Sequence, residues 1–275
     1  MNDLLREWSE SAKAWREHSS TIHTMFTPLT SALIKEAGIS AGQSVLDVAG
    51  GPGEPSLTIA EVVEPSGTVT YTDAVAEMVV TAEDEATRRG LTNIRFHQSA
   101  AESLPFADNT FDAAVSRLGV MLFSDPPAAL REMLRVTKPQ GALCYVVWGQ
   151  AERNPFSWVV TNVISRYVDV PPEDPDAPGA FRFAEPGKLA RLLTQAGAKD
   201  VQERELNFHM AAPISVDEFW RMRAATSGTL REKLAKLSEE TARQVGIEVQ
   251  EAAREFFPND QMSFPGQMLV ITGRK

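Results

Sequence analysis

The sequence predicts an α/β fold built on an open, doubly wound sheet of mostly parallel strands. Two observations predict it. From Ser44 to Trp148, short apolar runs rich in β-branched residues alternate with amphipathic helical stretches, and that alternation is the mark of a parallel sheet covered on both faces. The first of these runs leads directly into Gly50-Gly51-Pro52-Gly53 and then a helical stretch, a strand, turn and helix of the kind found where such sheets bind ligands.

Taken in order, the chain opens with helices. Leu4, Leu5, Trp8, Ala12 and Trp15 recur at three- and four-residue spacing, one helical face. Thr27-Pro28 opens a second helix through Leu29, Leu33, Ile34 and Ala37, and Gly38 ends it. Strands are expected over 44–49, 68–72, 93–97, 111–116 and 142–148, with helices over 55–63, 74–89 and 126–136. Gly90, Asp108-Asn109 and Lys138-Pro139-Gln140-Gly141 supply the turns. Beyond Gly149 the pattern predicts a helix over 154–168, a proline- and acid-rich loop over 171–179, a helix over 186–196, a strand over 200–209, mostly helix over 216–257 and a last strand over 267–272. Three blocks follow: an N-terminal helical cap (1–40), a sheet core (41–150), and helical additions with the final strands of the sheet (151–275).

Composition narrows the function classes. With 43% hydrophobic residues in 275, the chain can bury a full core. It carries 27 basic and 37 acidic residues, a net charge of −10, which argues against a nucleic-acid partner or a general membrane-surface binder. The single cysteine, Cys144, excludes an internal disulfide and a cysteine-built metal cage, and its apolar neighbours make it a small core residue. No apolar run approaches the ~20 residues of a membrane span, and Met1 to Arg6 lacks the apolar core of a leader, so a cytoplasmic protein is expected. No metal is expected: His-Glu-x-x-His is absent, and Glu173-Asp174-Pro175-Asp176 lacks the glycine and distal glutamate of a calcium loop. Arg221, Arg223, Arg231, Lys233 and Lys236 alternate with acids and read as a solvated face. Phe156, Trp158, Phe181, Phe183, Phe219 and Trp220 are candidate walls of an apolar pocket.

The glycine turn places backbone N–H groups at a helix N-terminus, where glycine permits close approach of a ligand. Asp73, twenty residues past Gly53 at the end of the second strand, can accept both hydroxyl hydrogens of a ribose. Together they indicate a nucleoside-containing cofactor. The dinucleotide spacing Gly-x-Gly-x-x-Gly is not met, because Ser56 stands where the third glycine would fall after Gly51 and Gly53.

Asp47-Val48-Ala49-Gly50-Gly51-Pro52-Gly53 instead resembles motif I of the class I S-adenosylmethionine (SAM) methyltransferases, with Ala49 at the first glycine, a substitution that suits a negative φ. Ser99-Ala100-Ala101-Glu102-Ser103-Leu104-Pro105-Phe106, followed by Asp108-Asn109-Thr110-Phe111-Asp112, resembles that family's adenine-binding stretch and fourth strand. Leu130 to Gly141 is similar to the helix and turn before the fifth strand, and Gln267 to Lys275 to the antiparallel last strand. The nearest group is the small-molecule methyltransferases related to the ubiquinone/menaquinone-biosynthesis C-methyltransferases, which Trp8, Trp15 and Ser116 to Met121 also resemble.

The resemblance implies a Rossmann-like seven-stranded sheet with an antiparallel last strand. It implies SAM as cofactor, S-adenosylhomocysteine (SAH) as product, and a small aromatic or apolar acceptor. It further implies that Ala49, Gly50, Gly51 and Gly53 hold the methionine end, with Asp47 beneath. Asp73 would bind the ribose, Ala74 and Met78 flank the adenine, Ala100, Ala101 and Glu102 edge it, and Arg117 and Leu118 close over the cofactor. The family shares no single catalytic residue. His18, His23 and Arg117 are the candidates in this chain, while His97 reads as a core residue and His209 as the end of a strand. A non-catalytic SAM-binding protein and a nicotinamide-dependent oxidoreductase remain the alternatives.

Overall fold

The computed structural model describes residues 3–169 and 174–275. Met1 and Asn2, and Pro171, Pro172 and Glu173 of the expected loop, lie outside the described residues. Among the described residues the strands are β1 (Ser44–Val48), β2 (Thr68–Asp73), β3 (Ile94–Gln98), β4 (Phe111–Arg117), β5 (Thr137–Trp148), β6 (Lys199–Ala212) and β7 (Met262–Arg274). They form one sheet in the order β3-β2-β1-β4-β5-β7-β6. β1 pairs in parallel with both β2 and β4, β2 with β3, and β4 with β5, while β7 runs antiparallel to β5. The doubly wound arrangement and the antiparallel last strand are as expected. Strand order reverses at β1, so the crevice beyond its carboxyl end is the switch point. Val45, Leu46, Asp47 and Val48 are all buried, because a central strand of such a sheet is covered on both faces.

The helices are α1 (Asp3–Glu17), α2 (Ser19–Ala37), α3 (Ser56–Val63), α4 (Ala76–Arg88), α5 (Pro126–Val136), α6 (Pro155–Ile164), α7 (Lys188–Gln195), α8 (Val216–Thr226), α9 (Gly228–Leu234) and α10 (Glu239–Ala253). Two compact units result, and they divide the chain differently from the three expected blocks. A sheet unit comprises residues 27–149, 175–206 and 268–275, and a helical unit comprises 1–26, 150–174 and 207–267.

Several boundaries differ from the sequence reading, each for a local reason. Pro28 lies inside α2 rather than opening it. α4 begins at Ala76 because the Asp73 carboxylate accepts the N–H of Val75 at 2.9 Å and holds that turn open. The expected turn over 138–141 is an irregularity within β5: the register jumps from Phe111–Thr137 to Ala113–Ala142, and Gln140 adopts φ +65°. The long helical stretch after residue 215 is three helices, whose N-terminal N–H groups are met by Ser215 (a capping box with Glu218), Ser227 and Ser238. β7 begins at Met262, five residues earlier than expected, and takes in Pro265-Gly266.

The helical unit has an aromatic core. Phe156 of α6 meets Phe219 of α8 at 5.6 Å and Phe264 of β7 at 5.7 Å, and Phe219 meets Phe257 at 5.7 Å. Trp8 and Trp15 pack against each other at 5.5 Å, and the Trp15 indole donates to the carbonyl of Thr226 at 3.1 Å. Asn154 is fully buried: its amide donates to the carbonyls of Gln150 and Gln267, and its oxygen accepts the N–H of Gln267 at 2.9 Å. Asn154→Ala removes three hydrogen bonds of this buried side chain, two of them to the main chain of Gln267, and the expected cost is about 2–4 kcal/mol in chemical denaturation.

Candidate functional site

β1 delivers Asp47 to the switch point, and its side chain is wholly buried. Oδ2 accepts the Ser56 hydroxyl at 2.6 Å, from the first turn of α3, while Oδ1 has no hydrogen-bond partner among the described residues. Burial pushes the Asp47 carboxyl up to about 7, against the opposing pull of the Ser56 hydrogen bond and the nearby Arg117 charge. A buried acceptor left open beneath a glycine turn is a place for a cation.

The turn above it is held from β2. Gly50 donates to the carbonyl of Thr72 at 3.0 Å, and Gly51 donates to Asp73 Oδ2 at 2.9 Å. The Tyr71 hydroxyl donates to the Gly51 carbonyl at 2.5 Å. A Cβ at Gly50 would lie 2.5 Å from the Tyr71 ring, so that glycine is required by space. A Cβ at Gly51 would meet nothing within 4 Å, which leaves this face of the turn open to a ligand.

Ala49 corrects the sequence reading. Its φ is +59°, in the left-handed region, so the alanine at the family's first glycine is strained rather than comfortable. Its methyl faces the loop after β4: a Cβ at Gly119 would approach it to 2.7 Å. Leu118 in that loop also has positive φ, +62°, and donates its N–H to Val146 at 2.8 Å. Arg117, at the end of β4, donates to Thr30 Oγ1 at 2.7 Å and to the carbonyl of Glu54 at 3.1 Å, tying α2 to the segment after the turn.

Asp73 is 8% exposed, and both its oxygens already accept backbone N–H groups, from Gly51 and Val75. Burial raises its pKa, and those N–H groups oppose the rise. Ala74 is partly buried, Met78 is buried at the start of α4, Ala100 is exposed and Ala101 is buried. Glu102 accepts the N–H of Asp125 at 3.1 Å, holding the entry to α5. The following loop is pinned by Glu132 and Arg135 of α5: Glu132 accepts from Leu104 N–H at 2.9 Å, and Arg135 donates to the carbonyls of Leu104 and Phe106.

His18 and His23 belong to the helical unit, both half-buried. His97 lies on the edge strand β3, half-buried against Phe106 at 5.2 Å, rather than in the core. His209 is exposed and pairs with the Ser263 hydroxyl at 3.1 Å. Cys144 is buried, and burial pushes its thiol up to about 12. Among the described residues no group of three His, Cys, Asp or Glu side chains stands close enough to hold a metal, and no described helix is long and apolar enough to cross a membrane.

The six proposed aromatic walls do not form one cluster. Phe156 and Phe219 meet in the helical unit, joined by Phe257 and Phe264, whereas Phe181 packs on Trp148 at 6.2 Å in the sheet unit. The basic residues expected on a solvated face also divide. Arg221 is exposed and pairs with Asp217. Arg231 donates to Ser11 Oγ at 2.7 Å and to the carbonyl of Ala225, and Arg223 packs over the ring of Phe156.

Comparison with known proteins places this geometry. The model of the ubiE/COQ5 methyltransferase family matches residues 18–167. The chain belongs to that family. Over 124 residues it is 38% identical to the uncharacterized protein Mb1440c of Mycobacterium bovis, a match that takes in 45% of this chain and 44% of that one. Over 153 residues it is 36% identical to the ubiquinone/menaquinone biosynthesis C-methyltransferase UbiE of Hahella chejuensis, covering 55% and 57% of the two chains. The matched part thus spans about half the length of these curated relatives. The YcgJ protein from Bacillus subtilis superposes with a TM-score of 0.56 at 23% identity, over 90% of this chain and 97% of that one, a likeness of fold. The family stretch contains the whole of the glycine turn, Asp47, Tyr71, Asp73 and Arg117. Tyr71, Ser56 and Thr30 escape sequence reading because each acts through a contact across the fold, with no motif around it.

Two outcomes are expected at this site. Ala49→Gly relieves the positive φ and raises unfolding stability by about 1 kcal/mol in urea. The Asp47 carboxyl ionises near 7 when folded, above its ordinary 3.8, so the folded state holds the proton more tightly. Stability from this group therefore falls as pH rises from about 4 to about 7 and is level above. Asp47→Asn flattens that fall by about 2–4 kcal/mol in denaturation curves taken across the window.

Proposed function

We propose that this protein is a SAM-dependent methyltransferase acting on a small aromatic or apolar acceptor. The observation that carries the reading is the buried Asp47 carboxylate, one oxygen of it without a partner among the described residues, beneath a glycine turn in the stretch that matches the family. An anion there suits the positively charged methionine end of SAM. It opposes the pyrophosphate of a nicotinamide dinucleotide, whose third glycine is also missing.

When bound, SAM supplies an electrophilic methyl group: the acceptor forms a bond to the methyl carbon as the carbon–sulfur bond breaks, and a protonated nucleophile gives its proton to water or a base. The residues of this chain bind and orient. Ala49, Gly50, Gly51 and Gly53 hold the methionine end, and Asp47 balances its charge. Asp73 takes the ribose hydroxyls on the acceptor positions its two backbone N–H bonds leave, since each carboxylate oxygen accepts twice. Ala74, Met78, Ala100, Ala101 and Glu102 border the adenine. Arg117 supports the site through Thr30 and Glu54, and a guanidinium does not serve as a base. His18 or His23 would take a proton where the nucleophile carries one, a contribution of order 10²–10⁴-fold. Positioning and desolvation supply the remainder.

Thermal unfolding with SAM, SAH and NAD tests the cofactor. SAM and SAH at 100 times their Kd add about 2.7 kcal/mol and raise the midpoint, while NAD does not; a shift with NAD alone would overturn the reading. Asp73→Ala is expected to weaken SAH binding tenfold or more by calorimetry, and unchanged affinity would remove the ribose role. Turnover of a panel of phenols, amines, thiols and quinone precursors separates an enzyme from a non-catalytic SAM binder.

A further inference from the structure

The glycine turn is tied down peptide by peptide. The N–H of Gly50 donates to the carbonyl of Thr72 at 3.0 Å, that of Gly53 to the carbonyl of Gly50 at 3.1 Å, and that of Gly51 to Asp73 Oδ2 at 2.9 Å. The peptide between Gly51 and Pro52 has no N–H to offer, so the Gly51 carbonyl is its one polar handle. The Tyr71 hydroxyl donates to that carbonyl at 2.5 Å.

Tyr71 is built to stay where it is. It is wholly buried on β2, its ring packs on Phe96 at 5.3 Å, and its edge fills the space where a Cβ at Gly50 would stand. Burial, with the charges of Asp73 and Asp47 beside it, pushes the phenol well above its ordinary range. The hydroxyl therefore keeps its proton near neutral pH and acts as a permanent donor. Gly51 is the opposite. It is half-buried, holds φ +56°, and has open space where its side chain would be. A glycine so placed has other conformations close in energy once its carbonyl is released. A ligand that needs one of them then binds only the fraction that holds it.

We propose that Tyr71 is a positioning residue: its hydroxyl fixes the Gly51 carbonyl, so that the turn is shaped for the methionine end of the cofactor before that end arrives. The inference rests on the methyltransferase reading, which supplies the cofactor and assigns its methionine end to this turn.

The test uses the full chain and compares SAH with methylthioadenosine, which keeps the nucleoside and the sulfur and lacks the amino acid end. In Tyr71→Phe the ring still fills the space beside Gly50, and the released carbonyl can turn to water. That variant is expected to bind SAH about tenfold more weakly by calorimetry and to bind methylthioadenosine as the wild type does. A structural role alone would weaken both ligands together. Equal loss for the two, or an unchanged SAH affinity, overturns the proposal. A second measurement needs no variant. In wild-type protein with ring-labelled tyrosine, the Tyr71 hydroxyl proton is expected as a slowly exchanging low-field NMR resonance without ligand, and SAH leaves it in place. Its absence without SAH means that the ligand shapes the turn, and overturns the proposal. This resonance decides if Tyr71→Phe does not fold or methylthioadenosine binds too weakly to compare. A wild type that binds no SAH removes the methyltransferase reading and this proposal with it. SAH binding that Tyr71→Phe leaves intact removes this proposal alone.

Discussion

The carboxylate of Asp47 stands at the end of the strand around which the sheet is built, out of water, with a hydrogen bond from Ser56 offsetting part of its desolvation. Burying such a group costs several kcal/mol unless it is paired, and a domain has little stability to spare. The neighbourhood is arranged to tolerate it. Arg117 lowers the cost from the end of the adjacent strand, and is itself kept in place by Thr30 and Glu54. The result is a carboxyl under the glycine turn that is already out of water before any ligand arrives and ionises near 7. A carboxylate that had to be desolvated at the moment of binding would charge that cost against affinity.

The same economy explains why β2 governs the turn. Tyr71 and Asp73 both end on Gly51, one on its carbonyl and one on its N–H, so both polar groups of that peptide position are satisfied from a single strand. The Tyr71 ring in turn leaves no room for a side chain at Gly50. Strain collects nearby: Ala49 and Leu118, on loops that face each other through Gly119, both hold positive φ. Non-glycine residues hold such angles where the surroundings over-determine them, and such strain gathers at functional sites.

Much of this was legible because it is local. The apolar run from Val45 to Val48, the glycines behind it and Asp73 at the end of the next strand carry their meaning in spacing alone. The antiparallel last strand was legible only through resemblance, since nothing in its own residues states its direction. What escaped depends on contacts between distant segments. The room for the Ala49 methyl comes from Gly119, seventy residues on. Pro28 reads as a helix start because proline lacks an N–H, yet it stands within α2. Arg223 sits in a run of alternating charge indistinguishable by pattern from Arg221, and only the approach of Phe156 from another helix separates the enclosed guanidinium from the solvated one.

The distribution of these features along the chain bears on how far family membership carries. The family match ends at residue 167, after the turn, the β2 residues and the α5 residues that hold the loop before β4. Phe219, Arg223, Phe257 and Phe264 all lie beyond it. The first set lies within the stretch that the family shares. The second set packs into an aromatic core with Phe156. Family membership therefore carries over to the first set and leaves the second to be read from its own contacts.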